Sequence, residues 1–272
     1  QALEQEVGTA LFVRHTRSVD LSAAGAVLLR ATQPALDSVD NAVRQIRQSL
    51  GRQSVTITTW ASFASLWLIP RLEAFQQAHP DIDIRIDATD AAVDLTTADV
   101  DLALRYATPQ AVVAGAEFLF GEQLTPVASP WLLKAQPVHT LADLAQCTLI
   151  EAGDAHRTQH LQYLTWQRWL DTFQPAGHKL APKRWLYFNY ANQILQAALT
   201  GQGVALARTP LVADSLANGD LVEPLPDTRL SSPLAYWLVR APRANQRPEV
   251  RAFADWLLAQ AAETRVAMGE AG

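Results

Sequence analysis

Cysteine is almost absent from this chain, with one residue, Cys147, in 272. That excludes an intrachain disulfide framework and every zinc site built from cysteine pairs. A lone cysteine fits a reducing compartment, and Cys147, ahead of a β-branched segment, reads as a small buried hydrophobe. No run approaches the ~18 consecutive apolar residues that a membrane helix needs. There is no GxxxxGK phosphate loop and no GxSxG nucleophile turn. Gly201-Gln202-Gly203 follows a helical pattern and precedes a strand. That order is the reverse of a dinucleotide fingerprint, so it reads as a helix stop. His156 and His160 are four apart, but no Glu follows the first and no other ligand cluster accompanies them. No catalytic residue, metal site or cofactor is therefore assigned. Charge is modest at 18%, while 49% of the residues are hydrophobic, which excludes a disordered chain. At ~150 residues per domain the length suggests about two compact units.

The charge that is present is unevenly placed. Residues 1–52 carry six Arg against five acidic residues, a net of +1, and the remainder carries −6. Contact with nucleic acid is therefore expected from the first 52 residues, ahead of an acidic body. Residues 1–7 read as the end of a helix, stopped at Gly8. LFVRHTRSVDL reads as a short β-ribbon with a basic tip. That tip is either a solvated turn or a contact to a phosphate backbone. Ser22 stands at an N-cap position before a long helix over 23–50, in which Pro34 is expected to kink or interrupt one turn. Leu28, Thr32, Ala35, Val39, Ala42 and Ile46 follow alternating 4,3 spacing, the seam of a dimerising coiled coil.

Beyond Gln53 strands and helices alternate. Strands are expected at 54–59, 82–87, 100–105, 148–151, 184–188, 203–207 and 234–239. Helices are expected at 66–78, 161–173, 189–200 and 250–262. Such alternation implies an α/β fold with mainly parallel pairing.

Leu3-Glu4-x-Glu6-x-Gly8-x-x-Leu11-Phe12-x-Arg14-x-x-Arg17, followed by Leu21-Ser22-x-Ala24-Gly25, closely resembles the signature of LysR-type transcriptional regulators. The PALDSV…AVRQIR stretch resembles the branch that includes the glycine-cleavage activators. In that family a complete winged helix-turn-helix precedes these residues, so the resemblance implies a chain truncated within that module. It also implies a domain order. Residues 1–21 would be the remnant of the recognition helix and wing, and 22–52 the linker helix. Residues 53–126 with 234–272 would form one effector-binding subdomain, and 127–233 the other. The implied fold is two-lobed, like a periplasmic binding protein. The chain would cross between lobes near residues 126–129 and 231–233, and a small-molecule effector would sit in the interlobe cleft. Double-stranded DNA would be touched by Arg14 and Arg17, and RNA polymerase would be a further partner. Dimers or tetramers would form, with helices 66–78 and 190–200 supplying a side-by-side contact. The location implied is the cytoplasm.

Strand-to-helix turns are where open α/β sheets bind ligands, because helix N-termini offer unpaired N–H groups. On that ground, and by family position, Trp60, Ser62 and Phe63 are assigned to the cleft. The alternative for them is a cap and two core aromatics. Arg105 ends the strand DLALR. Its guanidinium either grips a ligand carboxylate or forms a surface ion pair with Asp99 or Asp101. Glu151 and Asn189 occupy cleft-facing places in the family pattern, and Thr125 lies beside the first crossing. Arg105 with Glu151 would suit a zwitterion such as an amino acid, or Arg105 a small carboxylate. A solute-binding protein of the same fold needs neither the basic wing nor the coiled-coil helix. An α/β enzyme would need an assembled nucleophile, base or metal that is not apparent. A ligand-responsive regulator is the reading that absorbs all the features.

Overall fold

In the computed structural model the chain divides into two units, residues 1–53 and 54–272. The structure describes residues 2–15, 18–48, 53–89, 93–153, 161–175 and 180–270. In the first unit a short helix α1 (Ala2–Val7) precedes an antiparallel ribbon of β1 (Phe12–Arg14) and β2 (Val19–Leu21). The Glu4 carboxylate accepts from the Leu11 and Phe12 backbone N–H groups at 2.8 and 3.1 Å and so ties α1 to the ribbon. Ser22 caps α2 (Ala23–Gln48). Its hydroxyl accepts from Gly25 N–H at 3.0 Å and donates to the Ala10 carbonyl at 2.7 Å. Gly25 packs on Leu11 so closely that a Cβ there would lie 2.0 Å from the Leu11 carbonyl oxygen. The helix runs uninterrupted through Pro34. Of the expected seam, Thr32, Ala35 and Val39 are exposed and Leu28 is half-buried. The side chains of Ala42 and Ile46 lie outside the described residues.

The second unit holds two five-stranded sheets. The first has the order β4 (Ile82–Ala88), β3 (Gln53–Thr59), β5 (Leu102–Ala107), β12 (Ala235–Arg240), β6 (Glu117–Phe120). Strands β3 and β5 are parallel, and β12 runs antiparallel to both of its neighbours. The second has the order β11 (Leu230–Ser231), β7 (Gln123–Val127), β10 (Val204–Arg208), β8 (Thr148–Ala152), β9 (Arg184–Phe188). Here β10, β8 and β9 are parallel, while β7 and β11 are antiparallel additions. The end of β3, beside its parallel neighbour β5, is buried residue after residue (Ile57, Thr58, Thr59), as for a strand covered on both faces.

Strand β7 belongs to the second sheet, so the first crossing falls at residues 121–122 and not at 126–129. Pro126 does not break the strand, because β7 is paired antiparallel to β10 and Pro126 sits within that register. The second crossing lies between Ser231 and Ala235. The two crossings are stitched together where Ser232 N–H donates to the Glu122 carbonyl at 3.0 Å.

Helix α3 (Ala61–Phe63) continues through a π-turn (Ala64–Leu68) and a 3₁₀ turn (Ile69–Arg71) into α4 (Leu72–Ala78). The rest are α5 (Pro130–Ala135), α6 (Trp166–Phe173), α7 (Ala191–Leu199), α8 (Thr209–Ala217) and α9 (Pro248–Met268). The α6 helix begins later than its apolar pattern suggests because the Thr165 hydroxyl caps it, accepting from Arg168 N–H. The first core is aromatic: Phe63, Trp67, Phe75, Phe120, Tyr236 and Phe253 are fully buried. Each contributes on the order of 1.5–3 kcal/mol by burial. Trp67 also donates its indole N–H to the Thr264 hydroxyl of α9 at 2.9 Å. The second sheet is covered on one face around Trp166 and Trp169 and on the other by α7.

Candidate functional site

A cleft of about 410 Å³ opens between the two sheets, lined by the strand ends and helix starts of both lobes. From the first lobe come Thr59, Trp60 and Ser62 at the end of β3, and Arg105 and Tyr106 on β5. The second lobe adds Glu151 and Ala152 at the end of β8, Asn189 to Ala191 at the start of α7, and Arg208 at the end of β10. The lobes touch directly across it. Ser62 donates from its hydroxyl to the Asn192 amide oxygen at 3.2 Å, and Asn192 N–H returns to the Ser62 oxygen at 3.4 Å.

Five of the residues assigned from sequence, Trp60, Ser62, Arg105, Glu151 and Asn189, line this cleft. Phe63 does not. It is fully buried and stacks near Trp67 and Phe120, with centroids at 5.0 and 6.2 Å, because one step further along the helix turns it into the core. Thr125 does not either. Leu124 reaches the cleft and strand alternation turns Thr125 to the opposite face, where its hydroxyl donates to Glu223 at 2.6 Å. In the first unit Arg14 sits on exposed β1, and Arg17 lies outside the described residues.

The alternative of an ion pair from Arg105 to Asp99 or Asp101 is not realised. Asp101 binds Arg247 at 2.6 Å and accepts from Thr56 N–H at 2.9 Å. Among the described residues Arg105 donates to the carbonyls of Leu104 and Val93, both at 3.2 Å, and no described carboxylate pairs with it. Its burial pushes the guanidinium pKa down. Glu151 is partly occupied already, since one oxygen accepts from Trp166 N–H at the start of α6 at 2.6 Å. Cys147 is buried, and that burial pushes its thiol up. His156 and His160 fall outside the described residues, and among the described ones no three His, Cys, Asp or Glu could hold a metal together.

The polar centre of the site is one that sequence reasoning missed. Arg208 donates Nε–H to the buried Glu122 carboxylate at 2.6 Å, and its guanidinium lies over the Tyr106 ring at 4.1 Å. Tyr106 and Tyr236 also donate to Glu122, Tyr236 at 2.7 Å. Trp60 packs on both tyrosines with centroids 5.9 and 5.8 Å away. Burial pushes both phenols well above their ordinary range, against the pull of Arg208. Burial alone would lower Arg208, but Glu122 and the two tyrosines outweigh it and hold it raised. The signal was available: VALAR ends on Arg208 before a helix, just as DLALR ends on Arg105.

A cleft between two α/β lobes joined by two crossings, with hydrogen-bonding groups on both walls, defines a two-lobed ligand-binding domain of the periplasmic-binding-protein kind. The LysR substrate binding domain family matches residues 48–262, and the chain belongs to the LysR-type transcriptional regulators, DNA-binding proteins with an effector-binding domain. The glycine cleavage system transcriptional activator of Escherichia coli is 34% identical over 263 residues, covering 96% of this chain and 83% of that protein. The transcriptional activator AmpR of Pseudomonas aeruginosa is 32% identical over 264 residues, covering 96% and 84%. The solved effector domain of that AmpR superposes with a TM-score of 0.60 at 31% identity, over 80% of this chain and all of that one.

Proposed function

We propose that this chain senses a small molecule in the interlobe cleft and passes its occupancy to a DNA-bound oligomer. The observation that carries the reading is the direct contact of Ser62 with Asn192, which closes one side of a cleft walled by both lobes. A ligand touching both walls favours one angle between the lobes, because it binds that angle better than others. The cleft is near the lower end of the ~300–1,000 Å³ range of ligand sites, which fits an effector the size of an amino acid or small carboxylic acid. The relatives named for the glycine cleavage system point the same way.

Arg14 and Arg17 of the basic wing would touch the DNA backbone, and α2 would pair two chains. A place in the cytoplasm and a contact with RNA polymerase follow from the same role. We read the site as a binding site: the Ser62 hydroxyl donates to an amide oxygen, which cannot act as a base to activate it as a nucleophile. Thermal unfolding of the chain against a panel of amino acids and small carboxylic acids tests the reading. A ligand at 100 times its dissociation constant should add about 2.7 kcal/mol, roughly 5–10 °C for a unit of this size. Ala152→Trp, which fills the cleft, should abolish the shift. A shift that survives Ala152→Trp would place the ligand elsewhere and refute the proposal.

A further inference from the structure

We propose that the anchor of the cleft is Arg208, and that it takes the carboxylate of a monoanionic ligand together with the Thr59 hydroxyl; this rests on the cleft being the effector site. The Arg208 side chain is only 12% exposed, yet Nη2 of its guanidinium has no hydrogen-bond partner among the described residues. Thr59 is 1% exposed, and its Oγ1 is likewise unpartnered. Both residues line the same cavity, one from each lobe. Buried polar atoms are almost always satisfied, so two unpartnered ones, on residues that line one cavity, mark where an external group can complete the set.

The guanidinium is already fixed. Glu122 holds Nε and the Tyr106 ring lies 4.1 Å beneath, so little ordering remains to be done when a second planar, two-oxygen acceptor arrives. Glu122 balances the charge of Arg208, which leaves Arg105 as the cation of the wall without a carboxylate partner among the described residues. That balance suits one negative charge on the ligand and not two. The remainder of the wall includes Leu66, Leu104, Ile194 and Leu206, so the body of the acid is apolar. A carboxylate held by Arg208 and Thr59 bridges the second lobe to the first.

The test is calorimetric titration of the full chain with matched pairs of small apolar carboxylic acids, amino acids included, and their primary amides. Acids should bind and the amides should be at least about tenfold weaker, as expected for loss of a hydrogen bond to a charged group. Arg208→Lys keeps the charge that Glu122 requires but removes Nη2, and should weaken the acids roughly 10- to 100-fold. Thr59→Val should weaken them by about 2- to 10-fold. The acid-over-amide preference of the unmodified chain is a readout that does not depend on any variant folding. Amides binding as well as acids, acids unaffected by Arg208→Lys, or no acid binding at 10 mM would each overturn the anchor. If Ala152→Trp still abolishes binding in the first two cases, the cleft reading survives without it. Acid binding that is indifferent to Ala152→Trp sinks both.

Discussion

Glu223 shows how a single carboxylate organises the second lobe. It accepts from Arg229 Nε–H and Nη2–H at 2.7 Å each and from the Thr125 hydroxyl at 2.6 Å. Burial works to raise its pKa, but the Arg229 and Thr125 hydrogen bonds and the Arg229 charge win, and it lies below its ordinary value. The unfolded chain therefore takes up this proton first as the pH falls. Its stabilisation is complete above the ordinary glutamate range, ~4.3, and is lost as the pH drops through the folded value. Glu223→Gln should lower stability near neutrality and approach the parent at the acid end, measured as urea midpoints across a pH series. A constant difference at every pH would contradict this. The same residue scale shows what the sequence could reveal. Trp60 and Ser62 were legible because strand ends and helix starts are visible in the pattern, whereas Arg105, expected to end its strand, lies within β5, which continues to Ala107. Glu122 was not, because its partners Tyr106, Arg208 and Tyr236 come from three separate strands and only the fold assembles them.

At the scale of elements, helix α9 is fastened to the first lobe by a polar bond inside an apolar layer. The Trp67 indole N–H and the Thr264 hydroxyl are separated by 197 positions and meet at 2.9 Å in the core. Thr264→Val keeps the shape and leaves the donor unpaired. It should cost about 1–3 kcal/mol, a fall of roughly 2–4 °C in unfolding midpoint per kcal/mol for a domain of this size. Calorimetry checks the value, and a midpoint within 1 °C of the parent would show that the bond contributes nothing. The parallel strands β3, β5, β8 and β9 were readable from β-branched and apolar runs. The short antiparallel strands β6, β7 and β11 were not, since Pro126 argues against a strand until its partner β10 is known. That is also why the first crossing was expected several residues too late.

For the whole molecule, the first unit cannot stand on its own packing. Among its described residues only Leu11 and Gly25 are buried, while Val27, Leu29, Leu36, Val39 and Val43 of α2 are exposed. A 26-residue helix with so little apolar burial among its described residues is expected to need a partner surface. The chain should therefore sediment as a dimer or larger at micromolar concentration, and Leu36→Glu with Val39→Glu should shift it towards monomer. A parent that sediments as a monomer would refute the pairing of α2. The order of strands in the first sheet has a consequence for biosynthesis. Strand β12 lies between β5 and β6, although it is made long after them. At ~5–20 residues per second, the 120 residues from Phe120 to Arg240 take roughly 6–24 s to emerge. The second sheet, contiguous from Gln123 to Ser231, is complete before the first can close. For that interval β5 and β6 wait on the ribosome with an empty slot between them. The nascent chain then has most need of a chaperone while its first-made lobe is still open.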